Sequence, residues 1–281
     1  MLRARSVQAW THGILAAVLG SGLCLGSEAL KMREGFAFVE AEINGRGPFR
    51  LLIDTGTVPC ILTPQAAARA GIQPDHRIVL ATLAGERIFP GSSQNALRIG
   101  AVTQPGIQIV TDSLGPILEL DPKADGMLGQ SFLGRQPYLI DYRHKRLLLG
   151  DEAREQAQRL PVAVESYNHY GRPVVPVLLD PYDDTRHLTL DSGAISLVIE
   201  CQNHCPALHQ IEHSENILTL VGERAASRGV LFRMRIGGLT FFRSDAILVK
   251  GSPADDRNEG VLPTRLFSAV YVDSGIVRFA R

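Results

Sequence analysis

The sequence predicts a mainly β protein built from two duplicated lobes related by a pseudo-twofold axis, with few short helices. Two observations carry this. Short runs of alternating apolar and polar residues are separated by Gly, Asn and Pro turns. The chain also repeats itself. Residues 82–87 read TLAGER and residues 219–224 read TLVGER. Arg98-Ile99-Gly100 recurs as Arg235-Ile236-Gly237, and Asp54-Thr55-Gly56 as Asp191-Ser192-Gly193, all at the interval that separates 54 from 191. The period is too long for a solenoid and reads as one domain duplicated and fused. Gly126-Met127-Leu128 and Gly260-Val261-Leu262 match at a slightly shorter interval. So do Tyr138-Leu139-Ile140-Asp141 and Val270-Tyr271-Val272-Asp273, so the second copy has shorter late loops.

The elements follow in order. Residues 1–29 read as a signal peptide: Arg3 and Arg5 precede the apolar stretch 14–26, and Ser27 and Ala29 supply small residues for a cut. Leu23 is too bulky to make Cys24 a lipidation site. The first lobe is expected over 34–150. FAFVEAEI alternates and turns at Asn44-Gly45, and FRLLID is an apolar strand. Thr63 as N-cap, Pro64 and Gly71 frame an Ala-rich helix. IVLATL and GERIF form a hairpin centred near Ala84-Gly85. Short strands are expected at ALRIG and IQIV, a short helix after Gly129, and closing strands at YLIDY and RLLL. Residues 151–164, charged and helix-prone at DEAREQAQR, are expected as the linker, and 165–281 as the second lobe.

The 281 residues carry 29 basic and 29 acidic side chains, which gives no sign of a nucleic-acid partner. Outside the leader no stretch is long enough to span a membrane, so contact with one is limited to an uncleaved N-terminal anchor. An exported location, periplasmic or secreted, is expected. It permits disulfides among Cys60, Cys201 and Cys205, one of which must stay unpaired within the chain.

Asp-Thr/Ser-Gly is a weak motif alone, arising by chance in roughly one chain in eight of this length. Here both copies end an apolar run, Leu51-Leu52-Ile53 and Leu188-Thr189-Leu190, at matched repeat positions. About a pseudo-twofold axis Asp54 and Asp191 would face each other. Two close carboxylates share one proton, the ionised one serving as base to a water and the other polarising a carbonyl. Such a pair titrates as a unit. Gly56 and Gly193 let the backbone turn sharply and approach the carboxylates. Thr55 and Ser192 carry hydroxyls suited to bracing the opposite lobe. The chemistry needs no metal, cofactor or covalent intermediate.

LLIDTGT, DGMLGQSFL and YLIDYRHKRLLL in the first copy resemble the bacterial retropepsin-like aspartic peptidases, as do LTLDSGA, EGVLPTRLF and VYVDSGIVRF in the second. The fused pair is similar to the two-lobed pepsin-like enzymes. The resemblance implies closed β-barrel lobes of acid-protease type, catalytic Asp54 and Asp191 and a peptide or protein substrate. It also implies flap hairpins near residues 80–90 and 217–228, with Ala84, Gly85, Val221 and Gly222 at the substrate. The sequence departs from the pattern in three places. No Tyr or Trp occurs in 76–95, Ala194 replaces the hydroxyl of Thr57, and Leu262-Pro263 replaces Leu128-Gly129.

The reading is thus an aspartic-type endopeptidase, monomeric because one chain supplies both aspartates. Its alternative is a catalytically silent peptide-binding protein on the same scaffold, in which the two carboxylates would be separated or occluded. Asp273-Ser274-Gly275 aligns with Asp141 and reads as a strand end and turn. Cys201, Cys205, His209 and His213 are spaced by four, but Pro206 and an oxidising location favour a disulfide or free thiols over zinc. Cys60 reads as a small buried residue. Arg87 and Arg224 read as charges that keep hairpin edges soluble, with substrate contact as the other role.

Overall fold

The computed structural model describes residues 27–82, 85–180, 184–201, 205–219, 222–250 and 259–281. The leader up to residue 26, Ala84 and Val221 lie outside these. Among the described residues the strands form three sheets, one eight-stranded sheet per lobe and a six-stranded sheet shared by both.

Each lobe is built around the strand that leads into its Asp-Thr/Ser-Gly motif. In lobe one Arg46–Ile53 pairs antiparallel with Phe36–Ile43 and parallel with Gly126–Leu128. In lobe two Asp184–Asp191 pairs in the same way with Arg172–Leu179 and Gly260–Pro263. A strand flanked on both sides with both faces covered must be apolar throughout. Leu51, Leu52 and Ile53, and Leu188, Thr189 and Leu190, are all buried. Each lobe's sheet closes on itself, through Phe36–Ile43 against Gly85–Ile99 and through Arg172–Leu179 against Gly222–Ile236. Closure leaves the barrel without free edges along that seam. The repeat is visible in the backbone: Gly100 and Gly237 turn with φ of 55° and 54°.

The helix Pro64–Ala70 forms where its cap signals place it. The Thr63 side chain accepts from the Ala66 N–H and Gly71 ends it in the left-handed region. The helix after Gly129 spans Gln130–Leu133. The stretch read as separate pieces, GERIF and ALRIG, is one strand, Gly85–Ile99, paired to Val102–Thr111. Register shifts on either side of Asn95 absorb the irregular middle. Asn95 makes this possible, since its Nδ2 donates to Ser92 O and Ile107 O and its Oδ1 accepts from Asn44.

The third sheet joins the lobes, in the order Ser27–Ala29, Arg146–Leu149, Tyr138–Asp141, Ala269–Asp273, Ile276–Ala280, Val162–Glu165. Tyr138–Asp141 of lobe one pairs directly with Ala269–Asp273 of lobe two. Residues 151–164 contribute to this region: Gly150–Ala157 is a helix that buries Ala153 and Ala157, and Val162–Glu165 is the sheet's last strand. Ser27–Ala29, at the end of the expected leader, is its first. The Asp273-Ser274-Gly275 segment is the turn between Ala269–Asp273 and Ile276–Ala280, and the Asp273 carboxylate accepts from Tyr271 and Arg154.

Phe279 lies fully buried beneath this sheet, stacked on Phe267 with ring centroids 4.2 Å apart. Phe279→Ala is expected to cost about 3–5 kcal/mol of unfolding free energy, measurable by denaturant titration.

Candidate active site

Both motif strands run out of their barrels at the junction of the lobes, and the two motifs interlock there. The Thr55 N–H donates to Ser192 Oγ at 3.0 Å and the Ser192 N–H donates to Thr55 Oγ1 at 3.0 Å. Each hydroxyl then donates across to the strand before the opposite motif, Thr55 Oγ1 to Leu190 O at 2.8 Å and Ser192 Oγ to Ile53 O at 2.7 Å. All four bonds are buried. They give buried backbone groups of each motif a partner from the opposite lobe.

This grip brings Asp54 and Asp191 within hydrogen-bonding contact of each other. Each carboxylate also accepts from its own loop: Asp54 Oδ1 from the Gly56 N–H at 2.9 Å, and Asp191 Oδ1 from the Gly193 N–H at 2.7 Å. The N–H groups of Thr57 and Ala194 add to this. Lobe two therefore keeps its backbone donor although Ala194 has no hydroxyl. Gly56 and Gly193 do not sit in the left-handed region. Their need for glycine is the close approach: a Cβ on Gly193 would fall 2.9 Å from Asp54 Cγ, and one on Gly56 would collide with the Asp191 carboxylate. Pro263, the other departure in lobe two, is the register partner of Asp191.

Burial raises the Asp54 carboxyl well above its usual range, and the neighbouring charge of Asp191 raises it further. Asp191 is also raised by burial, but the hydrogen bond from Asp54, its own loop N–H groups and the Arg172 charge oppose the rise. The pair as a whole therefore holds one proton more tightly than an ordinary carboxylate does.

Several neighbours were not singled out in the sequence. Gln130 is buried and its Nε2 donates to Thr55 O and to Tyr138 Oη, both at 3.0 Å, fixing the lobe-one loop from below. Tyr142 meets Thr264 of lobe two and feels the Asp191 charge, and burial pushes its hydroxyl up to about 12. Gln130 and Thr264 are repeat equivalents, two residues beyond the matched Gly126-Met127-Leu128 and Gly260-Val261-Leu262, so the repeat itself carries that signal. Arg172 carried no motif.

At the expected flap hairpin of lobe one, His76–Thr82 pairs with Gly85–Ile99 from Thr82 opposite Gly85. In lobe two Leu208–Thr219 pairs with Gly222–Ile236 from Thr219 opposite Gly222. Arg87 is held by Asp112 at 2.7 Å and stacks over Phe89. Cys201 and Cys205 form a disulfide, which removes two of the four donors on which a zinc site there would rest. Cys60 is buried beside Ser131 and the Gly129 N–H, and burial pushes its thiol up, away from the nucleophilic thiolate.

The sequence pattern that defines the aspartyl protease family matches residues 39–132, within lobe one. No curated protein matches the chain. Among solved structures, the aspartic proteinase from Irpex lacteus is similar in fold, with a TM-score of 0.51 and 11% identity, covering 91% of this chain and 96% of that one. These findings support assigning the chain to the aspartic peptidase superfamily, with the pepsin-like fold of two sheet lobes.

Two outcomes follow from the geometry. Thr55→Val removes a hydroxyl and orphans the Ser192 N–H and the Leu190 carbonyl, at about 1–3 kcal/mol for each buried group left unpaired. Thr55→Ser should recover most of that loss in thermal denaturation. Asp54 binds its proton more tightly folded than unfolded, so its contribution to stability is greatest below the ordinary carboxylate value and is lost as pH rises through the raised one. Asp54→Asn is therefore expected to melt higher than the native chain at neutral pH. The gain should shrink as pH falls from the raised value toward 3.8, the ordinary value, and vanish below it.

Proposed function

We propose that this chain, placed in the aspartic peptidase superfamily by its fold and its first lobe, is an aspartic endopeptidase hydrolysing peptide bonds. A water held between Asp54 and Asp191 is the nucleophile. The observation that carries the reading is the buried carboxylate pair, one member from each lobe, brought together by the interlocked motif loops. The silent peptide-binding alternative calls for separated or occluded carboxylates, and this pair is in contact.

The chemistry follows from the protonation pattern. Asp191 takes a proton from the water as its oxygen adds to the scissile carbonyl carbon. Asp54 hydrogen-bonds the carbonyl oxygen as negative charge grows there. The tetrahedral adduct then breaks its C–N bond, the departing nitrogen takes a proton from the pair, and a carboxylic acid and an amine leave. The loop N–H groups of Gly56, Thr57, Gly193 and Ala194 hold the carboxylates in place throughout and need not reorganise. One chain supplies both halves, so we infer a monomer. The basic and apolar leader supports an exported, periplasmic or secreted enzyme acting on peptide or protein substrates. Gly85 and Gly222 each open the return strand of their hairpin, and with Ala84 and Val221 they are the proposed flap contacts.

Incubating the purified chain with a peptide library across pH tests the reading. Cleavage is expected on the acidic side, failing as pH rises past the loss of the shared proton. Asp54→Asn and Asp191→Asn should each lower kcat by about 10²–10⁴-fold. Hydrolysis that both variants leave intact would refute the assignment.

A further inference from the structure

The loop that follows each motif is held differently in the two lobes, and one residue accounts for the difference. In lobe one the loop lies against the segment that follows Gly126–Leu128. The Gln130 N–H donates to Thr57 O at 2.9 Å and the Ser131 N–H to Val58 O at 2.7 Å. The approach leaves no room for a side chain: a Cβ on Gly129 would collide with Pro59 O and fall 2.7 Å from Val58 O. Lobe two has Pro263 at that position, directly after the matched Gly260-Val261-Leu262. Proline brings a Cβ and a ring, so the loop after Asp191 cannot lie against it in the same way. Among the described residues no backbone hydrogen bond joins Thr264 or Arg265 to Ala194 or Ile195, where the counterparts in lobe one are joined.

The fourth residue past each aspartate differs accordingly. Val58 and Ile195 are repeat equivalents. Val58 is half-buried and is covered from lobe two, where a Cβ on Gly171 would fall 3.0 Å from its side chain. Gly171 belongs to the turn Tyr170-Gly171, with φ of 48° and 86°, and the matching turn of lobe one is Glu34-Gly35, with 47° and 85°. Were the lobes alike, Gly35 would cover Ile195. Arg265 takes that place instead. Its Nη2 donates to Glu34 O at 2.7 Å and its guanidinium lies over the Phe36 ring, 5.2 Å from the centroid. The heavy atoms nearest a Cβ on Gly35 are all from Arg265. Ile195 is left 68% exposed.

An exposed isoleucine on an ordinary surface asks for no explanation. This one stands beside the pair. Gly193, two residues before it, donates to Asp191 Oδ1 at 2.7 Å, and a Cβ on Gly193 would fall 2.9 Å from Asp54 Cγ. Two residues of chain span at most about 7 Å, so Ile195 borders the place where a scissile bond would meet the two carboxylates. An extended peptide advances about 3.3 Å per residue, which brings a residue about two or three positions from that bond level with Ile195. We propose that Ile195 is a specificity-determining residue whose side chain takes an apolar side chain of the bound peptide at that distance from the cut. The proposal rests on the peptide-cleaving reading above. Ile195 offers no donor or acceptor, so a polar side chain pressed against it would lose water without gaining a partner. An apolar one gains in proportion to the area both remove from water. The contact belongs to lobe two alone, since the place of Val58 is already covered.

The test uses the full chain and peptide pairs that differ only as Leu or Ser at each position flanking the scissile bond. At one position kcat/KM is expected to favour Leu by about tenfold, the low end of what an apolar contact discriminates. Ile195→Ser should bring that ratio close to one, and Ile195→Leu should keep most of it. Both variants should melt with the native chain, since the side chain is exposed. Dissociation constants for the same pairs on Asp54→Asn should show the same ratio and the same loss when Ile195→Ser is added. Equal values for Leu and Ser at every position, or a preference that Ile195→Ser leaves untouched, overturns the subsite. So does a native chain that self-associates and becomes monomeric with Ile195→Ser, which assigns the side chain to a contact between copies. An Ile195-dependent binding ratio without any Asp54-dependent cleavage supports the subsite and overturns only the peptidase reading.

Discussion

Asp54 and Asp191 occupy one buried space, and two negative charges cannot both be held there cheaply. A pair left to itself would move apart or open to water. The chain prevents both. Loop N–H groups clamp each carboxylate from its own lobe, and a glycine in each loop leaves room for the carboxylate of the other. The remaining cost is met by keeping one proton between them, so the electrostatic conflict becomes an acid and a base side by side. The feature that strains the fold is also the one on which the proposed hydrolysis depends.

Holding such a pair requires that the lobes not drift. A net contribution of about 0.5–1.5 kcal/mol per hydrogen bond makes the reciprocal Thr55–Ser192 grip modest in energy. Its value lies in geometry, because each loop is fixed by the backbone of the other lobe and neither can shift alone. The wider constraint comes from the shared sheet, where Tyr138–Asp141 and Ala269–Asp273 lie side by side and Phe267 and Phe279 pack beneath. The interface between the lobes and the candidate active site are therefore one construction. Disturbance of the first is expected to be felt as lost catalytic geometry before lost folding.

The motif strands, the two-lobe duplication and the capped helix were legible because each rests on a local rule: apolar runs, a repeat register, an N-cap followed by proline. The shared sheet was not. The four strands closing the two copies were expected, but Ser27–Ala29 was assigned to the leader and Val162–Glu165 mostly to the linker, and pairing across the axis is a non-local choice that leaves no trace in periodicity. The long strand Gly85–Ile99 was expected as two pieces, GERIF and ALRIG. Asn95 repairs the ladder with side-chain bonds to residues 12 and 51 positions away, which no window reveals. At the site, the aspartates and the bracing hydroxyls followed from chemistry and symmetry. Ile195 did not, since nothing near it in sequence marks it. Its meaning comes only from standing where the other lobe has the covered Val58.

That contrast bears on how a duplicated scaffold diverges. The two halves must stay alike where they meet, because each loop supplies the other's hydrogen bonds and a change on one side breaks a bond on both. Thr55 and Ser192 differ by a methyl group and Gly56 and Gly193 not at all. One step away from the axis the constraint disappears. There lobe one lays its loop against Gly129 and covers Val58, and lobe two has Pro263 and an exposed Ile195 in their places. After the next strand lobe one continues through Thr63 into a capped helix, whereas lobe two places Glu200 at that position and ties Cys201 to Cys205. On the proposed function, a peptide crossing the junction would lie against both halves at once. An asymmetric pair of walls can then distinguish its two directions, which two identical lobes cannot do.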